Sequence, residues 1–410
     1  MNKTILVSAY SCEPIEGSEA AVGWNIAIQM AKRNKVHVIT RSNLREKIEA
    51  YYPTEVADNI TFHYYDTPRW MRFYKRKERG MHLYYFLWQL GITSVIRRLK
   101  KNIKFDYAMH LTFGNVWLPT FLPYFDIPFI YGPIGGGEGI PRSFLTKMSH
   151  SYFCVETIRI LLKATSCINP FFLFNAVRSK AILCRTEQTS SLFPRCFQNK
   201  IHYLTDGAIE PEFFENKVEY CKNKTVRIIS TSRFVALKNM ICVVQAMSLI
   251  PKEYDLECVM IGKGPELEKV KQLAEACPHK ITFLKQVPRT EVLNQLKKGD
   301  IFISPSLRDA CNLALLEAMA VGLPIICLNW SGMAISTDES CAIRLPVTNP
   351  EQMPKDMADA IVKLVESPEL RERLGTAARE RIRTVFNWDA KGEFIENLLN
   401  ELDKSCTKSN

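Results

Sequence analysis

The sequence predicts an α/β protein built from two doubly wound domains, each with a parallel β-sheet. At 410 residues, the chain is too long for one ordinary hydrophobic core, so two domains are expected. Its second half alternates apolar runs with amphipathic helical segments, which is the pattern of a parallel sheet covered by helices on both faces. The first half repeats this alternation less regularly. The sequence has no internal repeat of the kind that would indicate a solenoid.

The second half supplies the clearest strands and helices. The strand-like runs are VRIIST (226–231), LECVMIG (256–262), ITFL (281–284), IFISPS (301–306) and PIICLN (324–329). Helical periodicity is found between them in MICVVQAMSLI, ELEKVKQLAEAC, EVLNQLKKG and LALLEAMAV. Since parallel strands joined by helices bind ligands beyond their carboxyl ends, functional residues are expected just after these strands.

The first half carries a similar series of apolar runs, which we interpret as the strands of a second sheet. These runs are ILVSAY, VHVITR, ITFHYY, FDYAMHL, PFIYGP and AILCRT. We place an amino-terminal domain at 1–205 and a second domain at 206–386, with the linker near Thr205-Asp206-Gly207. A terminal helical segment, 387–410, is expected to pack back on the amino-terminal domain.

Composition disfavours several classes of protein. The 13 cysteines are scattered singly and form no zinc-binding pattern, so neither a structural metal nor a disulfide framework is predicted. The chain starts almost directly with a strand-like run instead of a secretory signal, which favours a cytoplasmic location with reduced thiols. No stretch resembles a membrane-spanning helix.

Positive charge is concentrated in one segment, 69–104, which holds eleven Lys or Arg residues and one acid, Glu78. The whole chain has a net charge of +11, so the remainder is nearly neutral. Within the segment, Leu83, Phe86, Leu87, Leu90 and Val95 are predicted to lie near one face of a helix. This face could rest peripherally on an anionic membrane, or it could belong to the domain core beside a solvated basic flank. Nucleic acid is disfavoured because no recognition motif accompanies the charge.

The stretch DACNLALLEAMAVGLP follows the fourth strand of the second half and carries two carboxylates, Asp309 and Glu317. Asn312 is a predicted N-cap, and Gly322 is predicted to end the helix. A helix amino terminus binds phosphate through its free N–H groups, whereas nearby carboxylates suit the hydroxyl groups of a sugar or ribose. The alternative is a solvated loop acid and an ordinary surface glutamate.

Two cations and a glycine-rich turn follow the first two strands of the same domain. SRFVALKN places Arg233 and Lys238 after the first strand, where they could neutralise a diphosphate, although surface cations near turns are common. IGKGPE places Gly262 and Gly264 after the second strand, where they permit close backbone approach. Neither a dinucleotide-binding fingerprint nor a P-loop is present.

These motifs together resemble those of a known enzyme family. SRFVALKN, IGKGPE, FLKQVP and DACNLALLEAMAVGLP are similar to the donor-binding half of family 4 glycosyltransferases with the GT-B fold. The spacing of Asp309 and Glu317 matches the E-x7-E motif of that family, with aspartate in place of the usual first glutamate. Elsewhere, CEPIEGSEAAVGWN, YGPIGGGEGIP and VFNWDAK resemble the first turn, a branch-specific loop and the terminal cross-over segment of these enzymes.

The resemblance implies specific roles in a cleft between two facing domains. Glu317 would hold the ribose of a nucleotide, and Asp309 would hold hydroxyl groups of the donor sugar. Arg233 and Lys238 would hold the diphosphate and stabilise it as it leaves. The other implied donor-binding residues are Gly17, Ser18, Gly262, Gln286-Val287, Asn312 and Leu313.

His110 ends the strand-like run FDYAMHL, in a region where enzymes of this family carry a histidine facing the reacting sugar. It could hydrogen-bond the donor sugar or orient the acceptor. The alternative is a histidine of the cleft wall with its hydrogen bonds satisfied inside the protein.

The resemblance implies a retaining glycosyltransferase that moves a hexosyl group from a nucleotide-diphosphate sugar to a saccharide or lipid-linked acceptor, in cell-surface polysaccharide biosynthesis. No metal ion and no cofactor are expected. An epimerase acting on sugar nucleotides would share the donor site but need no acceptor. A non-catalytic module that binds a nucleotide sugar or a membrane surface is the alternative from a different class.

Overall fold

The computed structural model describes residues 2–14, 19–72, 80–146, 148–210, 213, 225–285 and 287–407. Contacts divide the chain into two compact units. Unit 1 comprises Met1–Gly137, Leu161–Asp206 and Trp388–Asn410, and unit 2 comprises Glu138–Ile160 and Gly207–Asn387.

The secondary structure follows the alternation that the sequence predicts. The strands are β1 (Thr4–Ser8), β2 (Lys35–Arg41), β3 (Ile60–Tyr65), β4 (Tyr107–His110), β5 (Phe129–Ile134), β6 (Ser179–Cys184), β7 (Ile201–Tyr203), β8 (Val226–Thr231), β9 (Leu256–Ile261), β10 (Lys280–Leu284), β11 (Ile301–Ser304), β12 (Ile325–Leu328) and β13 (Ala342–Leu345). The helices are α1 (Glu19–Ala31), α2 (Arg45–Ala50), α3 (Met81–Lys100), α4 (Arg142–Leu145), α5 (His150–Thr165), α6 (Pro170–Arg178), α7 (Glu187–Ser190), α8 (Ile241–Leu249), α9 (Leu267–Ala274), α10 (Arg289–Lys297), α11 (Leu313–Val321), α12 (Ser331–Ser336), α13 (Met353–Glu366), α14 (Pro368–Val385) and α15 (Trp388–Thr407).

In the described part of unit 1, seven strands form a parallel sheet in the order β3-β2-β1-β4-β5-β6-β7. Apolar side chains fill both faces of this sheet. One face packs against α1 and α15, and the other packs against α3 and α6. Helix α15 is held on α1 by close packing, since a Cβ on Gly392 would come within 2.8 Å of the Gln29 side chain. It is also held by ion pairs from Lys3 to Glu396 at 3.9 Å and to Asp403 at 3.4 Å.

In the described part of unit 2, six strands form a parallel sheet in the order β10-β9-β8-β11-β12-β13. One continuous apolar core surrounds it. Helix α11 contributes nearly all of its side chains to that core, which explains why its sequence is apolar on every side. The short strands β7 and β13, at the edges of their sheets, were not among the predicted strands.

The boundary of the first domain differs from the one that the sequence suggested. Residues 138–160 group with unit 2, whereas the sequence pattern predicts one amino-terminal domain over all of 1–205. Three contacts explain the difference. The indole Nε1 of Trp330 donates to the carbonyl of Gly139 at 2.8 Å, Ser143 Oγ donates to the carbonyl of Thr348 at 2.7 Å, and Arg308 pairs with the buried Glu156.

Across the described residues, no single helix is both long and apolar enough to cross a membrane, although α5 and α6 meet that criterion when they are taken together as a bent pair.

Candidate active site

The geometry of unit 2 concentrates polar side chains at one point on the edge of its sheet. Strand β8 lies between β9 and β11, so the strand order reverses direction between β8 and β11. In open parallel sheets such a switch point leaves a crevice beyond the carboxyl ends of the two strands. The loop after β8 carries Arg233 and Lys238, and the loop after β11 carries Asp309 and leads to Asn312.

Lys238 and Asp309 face each other at this switch point. Lys238 Nζ and Asp309 Oδ2 form an ion pair, with 13% and 16% of the two side chains exposed. The backbone reinforces the pairing, because Leu307 N donates to the Leu237 carbonyl at 2.8 Å and so joins the two loops. The structure thus brings together two of the predicted site residues that are 71 positions apart in the chain.

The backbone of Asp309 is fixed by the start of α12. Its carbonyl accepts hydrogen bonds from Gly332 N at 2.7 Å and from Ser331 Oγ at 2.6 Å. Ser331 has a φ of 56°, which is uncommon for a residue other than glycine and holds its hydroxyl toward that carbonyl. A Cβ on Gly332 would lie 2.2 Å from the carbonyl oxygen of Ala310, so only glycine fits there. The loop is therefore preorganised, and the Asp309 carboxylate is held in position without a bound ligand.

Asn312 is the N-cap of α11, as predicted. Its Oδ1 accepts from Leu315 N at 3.2 Å, and its Nδ2 donates to Ser304 Oγ at 2.8 Å, so the cap is tied to the end of β11. The first N–H groups of the helix, at Leu313 and Ala314, have no acceptor within the helix by position and carry the positive end of its dipole. Gly322 ends the helix with a φ of 95°, also as predicted. This amino terminus can bind an anion beside Lys238.

Glu317, one turn into α11, is engaged by a residue that the sequence analysis missed. Arg289 Nε donates to Glu317 Oε1 at 3.2 Å, and Arg289 Nη2 donates to Glu210 Oε2 at 3.2 Å. The guanidinium carbon lies 4.8 Å from the ring centre of Phe213. Burial lowers the pKa of Arg289, but the two carboxylates outweigh it and raise the pKa.

Arg289 could have been found from the sequence. It opens α10 directly after Pro288, following β10. The resemblance assigns this loop only a backbone contact around Gln286 and Val287. The rule for strand ends, applied to β10, points to two cations, Lys285 and Arg289, and Arg289 is the one that pairs with Glu317. Gln286 lies outside the described residues, and Val287 packs half-buried against the core.

The glycine turn after β9 is in close contact with the loop after β8. A Cβ on Gly262 would lie 1.9 Å from the Ser232 carbonyl oxygen, and one on Gly264 would lie 2.2 Å from the Phe234 carbonyl oxygen. The close approach is therefore to the backbone of the loop after β8. This packing holds the loop that presents Arg233, whose exposed side chain has no ion pair with any described residue.

In unit 1, His110 occupies the equivalent switch point, between β1 and β4. It is 1% exposed, and its Nε2 lies 3.4 Å from the Tyr85 hydroxyl oxygen. Burial lowers the pKa of His110 to about 4, while a backbone hydrogen bond with Phe113 opposes the shift and Arg185 adds to it. The imidazole is therefore neutral at pH 7 and can act as a hydrogen-bonding group.

The loop after β1 is also packed closely on its own unit. A Cβ on Gly23 of α1 would lie 2.1 Å from the Ser11 carbonyl oxygen, and Ser11 N donates to Thr112 Oγ1 at 3.0 Å. Two predicted donor-binding residues of this loop, Gly17 and Ser18, lie outside the described residues. Among the residues that are described, no three His, Cys, Asp or Glu side chains are grouped as metal ligands would be.

Comparison with known proteins associates part of the chain with an enzyme family. Residues 212–381, which lie in unit 2, match the model of the family described as glycosyl transferases group 1. This match supports that family for the unit that holds Lys238, Asp309 and Glu317.

Two curated relatives carry the same kind of activity in their names. The chain is 28% identical over 383 residues to an N-acetyl-α-D-glucosaminyl L-malate synthase of Bacillus anthracis, covering 92% of each protein. It is 22% identical over 180 residues to a GDP-mannose-dependent monoacylated α-(1-6)-phosphatidylinositol monomannoside mannosyltransferase of Corynebacterium glutamicum, covering 42% of this chain and 46% of the relative. The chain spans about half or less of the length of several curated relatives, namely 46%, 33% and 48% of three of them.

Solved structures confirm the predicted GT-B fold class, with its two parallel-sheet α/β domains. Sucrose-phosphate synthase from Thermosynechococcus elongatus superposes with a TM-score of 0.63 and 15% identity, covering 98% of this chain and 100% of that one. The Anabaena protein HepE, solved in complex with UDP-glucose, gives a TM-score of 0.55 at 13% identity, with coverages of 98% and 100%.

Proposed function

We propose that the protein is a retaining, metal-independent glycosyltransferase of family 4 that uses a nucleotide-diphosphate sugar. The observation that carries this proposal is the Lys238–Asp309 ion pair at the switch point of unit 2, beside the amino terminus of α11. The switch point of unit 2 therefore offers a cation and backbone N–H groups that can bind a diphosphate, and carboxylates that can bind hydroxyl groups. A nucleotide sugar presents both kinds of group within one molecule.

The cations would act on the leaving group. When the bond between the anomeric carbon and the diphosphate oxygen breaks, its electron pair goes to the diphosphate, and negative charge builds up there. Lys238 and Arg233 would stabilise that charge together with the N–H groups of Leu313 and Ala314. The acceptor hydroxyl then bonds to the anomeric carbon from the face that the diphosphate leaves, and its proton passes to an oxygen of the departing diphosphate.

The carboxylates would position the donor. Glu317, held by Arg289, would accept hydrogen bonds from the ribose hydroxyl groups. Asp309 would accept from hydroxyl groups of the sugar. Because Asp309 already neutralises Lys238, the arriving diphosphate would have to share the ammonium group, which has three N–H bonds to offer. Sharing keeps the partly buried Asp309 paired throughout the reaction.

We propose a neutral His110 as the hydrogen-bonding group of unit 1 that contacts the reacting sugar, since an uncharged imidazole does not compete for the diphosphate. The acceptor would be a saccharide or a lipid-linked sugar, and the process would be cell-surface polysaccharide biosynthesis in the cytoplasm. The names of the mannosyltransferase and the N-acetylglucosaminyl malate synthase support transfer of a hexosyl group to a hydroxyl.

The test is acceptor-dependent release of nucleoside diphosphate. Thermal shifts with UDP, GDP and ADP would first identify the base, because a ligand at about 100 times its dissociation constant stabilises the folded protein by about 2.7 kcal/mol. Release of that diphosphate from its sugar conjugate should then require an added acceptor. Turnover without any acceptor would favour an epimerase, and the absence of both shift and turnover would favour a binding module.

A further inference from the structure

Helix α3 presents an unusual outer face. Leu83, Phe86, Leu90, Arg97 and Lys100 follow one another at intervals of three, four, seven and three residues, which places them along one stripe of the helix. Leu83 is 51% exposed and Leu90 is 48% exposed, and both cations are exposed as well. The stripe is thus apolar over its first half and basic over its second half.

The apolar half continues onto neighbouring elements of unit 1. The Phe86 ring lies 5.8 Å from that of Phe121 and 6.4 Å from that of Phe171, and Phe121 and Phe171 lie 6.1 Å apart, centre to centre. Tyr124 packs at 4.4 Å on Phe174 and is itself 55% exposed. Single exposed leucines are ordinary, but a contiguous apolar patch with an aromatic base marks an interaction surface.

The basic half borders a groove. The groove has a volume of about 460 Å³, and its lining includes Leu90, Arg97, Lys100 and Tyr124. Lys100 Nζ donates to the Phe125 carbonyl, which leaves two of its three N–H bonds for a ligand. The acid at the rim, Asp126, is paired with Arg178 at 3.3 Å.

Charge complementarity selects the partner. Residues 80–104 contain five Lys or Arg and no acid. A basic end beside exposed leucines and aromatic rings suits a surface that is anionic outside and apolar inside, which is the interface of an anionic lipid bilayer. A solvated basic flank would explain Arg97 and Lys100 but not the exposed Leu83 and Leu90.

We propose that this surface, the α3 face (Leu83, Phe86, Leu90, Arg97, Lys100 and Tyr124), docks unit 1 on an anionic membrane. The leucines and aromatic rings enter the boundary between headgroups and acyl chains, and the two cations contact lipid phosphates. Val95, which the sequence pattern places on the same face, is 5% exposed and lies in the core instead. The docking is independent of donor binding, so it can be tested without any nucleotide.

The experiment is co-sedimentation of the full chain with vesicles. We expect binding to phosphatidylcholine vesicles that contain phosphatidylglycerol, little binding to phosphatidylcholine alone, and weakening as salt is added. Arg97→Gln with Lys100→Gln should weaken binding about 30-fold, at about 1 kcal/mol for each cation. The matched control, Lys252→Gln with Lys298→Gln, removes the same charge from exposed positions of unit 2 and should bind as the wild type does.

A second pair tests the apolar half. Leu83→Ser with Leu90→Ser should weaken binding about 10-fold, whereas Leu249→Ser, at a residue 54% exposed in unit 2, should not. Equal binding by the two charge-matched variants would overturn the proposal, as would equal binding of the wild type to both vesicle types or to neither. Displacement by free glycerol phosphate would identify a phosphate site instead of a membrane surface. Melting temperatures confirm that each variant is folded.

Discussion

The switch point of unit 1 is occupied by a neutral group, whereas that of unit 2 is occupied by charged ones. His110 is 1% exposed beside Tyr85, and its pKa is lowered to about 4 by burial. Lys238 and Asp309 are paired in a partly exposed loop, with Arg289 and Glu317 paired nearby. The same place in two similar sheets thus holds two kinds of group. Strand order fixes where a ligand can bind, and the local loops determine whether the site is neutral or ionic.

Removal of Lys238 should disturb the ionic switch point most strongly. Lys238→Ala takes away a cation that would stabilise the leaving diphosphate, so kcat should fall about 100-fold to 1,000-fold. The measurement is acceptor-dependent release of nucleoside diphosphate, with Lys252→Ala as the control. A folded Lys238→Ala enzyme with the kcat of the wild type would remove the main support for the proposed function.

Substitution in the glycine turn that supports the same switch point should have the next largest effect. This effect should be on the stability of the protein. Gly262 has a φ of 144°, and a Cβ there would lie 1.9 Å from the Ser232 carbonyl oxygen. We expect Gly262→Ala to lower the free energy of unfolding by about 3 kcal/mol, through clash and strain. Gly322→Ala is the control, since its φ is 95° but the nearest atom is 3.7 Å away. It should lose only about 1 kcal/mol in urea denaturation. Equal losses would show that conformation, and not the close contact, governs both positions.

The neutral switch point predicts a dependence of stability on pH. The unfolded chain protonates His110 near its ordinary pKa of about 6.5, whereas the folded protein does so only near a pKa of about 4. The unfolded state therefore binds more protons between these values, and stability decreases as pH falls from about 6.5 toward 4. His110 alone should lower the free energy of unfolding by about 2 kcal/mol at pH 5 relative to pH 7.

His110→Gln provides the comparison, because it removes the titrating group and keeps a polar side chain. Its unfolding free energy should depend less steeply on pH than that of the wild type over the same range. His37 and His63, whose pKa values are also lowered by burial, contribute equally to both proteins and so cancel. Parallel curves for the two proteins would show that His110 is not buried as a neutral group.

The smallest effect is expected from Arg289, which acts through Glu317. Arg289→Ala should weaken nucleotide binding about 10-fold, because a carboxylate without its partner is less well oriented. In a double-mutant cycle, Arg289→Ala combined with Glu317→Ala should bind no more weakly than Glu317→Ala alone. Calorimetry gives both affinities, and additive losses would mean that Arg289 contacts the ligand itself.

Much of the unit 2 site could be predicted from the sequence, because its determinants are local. Lys238, Asp309 and Asn312 each follow a recognisable strand by a few residues, and the N-cap and Gly322 mark the ends of α11. The sequence could not show that Lys238 and Asp309 are paired, since that depends on β8 and β11 being neighbours.

The predictions that differ from the structure concern features that are determined by contacts between distant parts of the chain. The grouping of 138–160 with unit 2 depends on contacts made by Trp330 and Arg308, which are far away in the chain. Val95 was misplaced because an apolar residue on a basic helix can face either side, and only the packing of α3 on its sheet determines which. The close contact of Gly262 with the Ser232 carbonyl could not be predicted for a related reason, since it depends on how the loops after β8 and β9 pack.

The return of α15 to unit 1 has a consequence for how the chain folds during synthesis. Unit 1 is discontinuous, and its core includes Ile395, Leu398 and Leu399, which are translated after all of unit 2. Domains fold as units while the chain emerges from the ribosome. Unit 2 can therefore complete its core first, although most of unit 1 precedes it. Until α15 is released, the sheet face that α1 and α15 share lacks the part of its cover that Ile395, Leu398 and Leu399 supply, so the nascent unit 1 depends on α15 for protection of that face against aggregation.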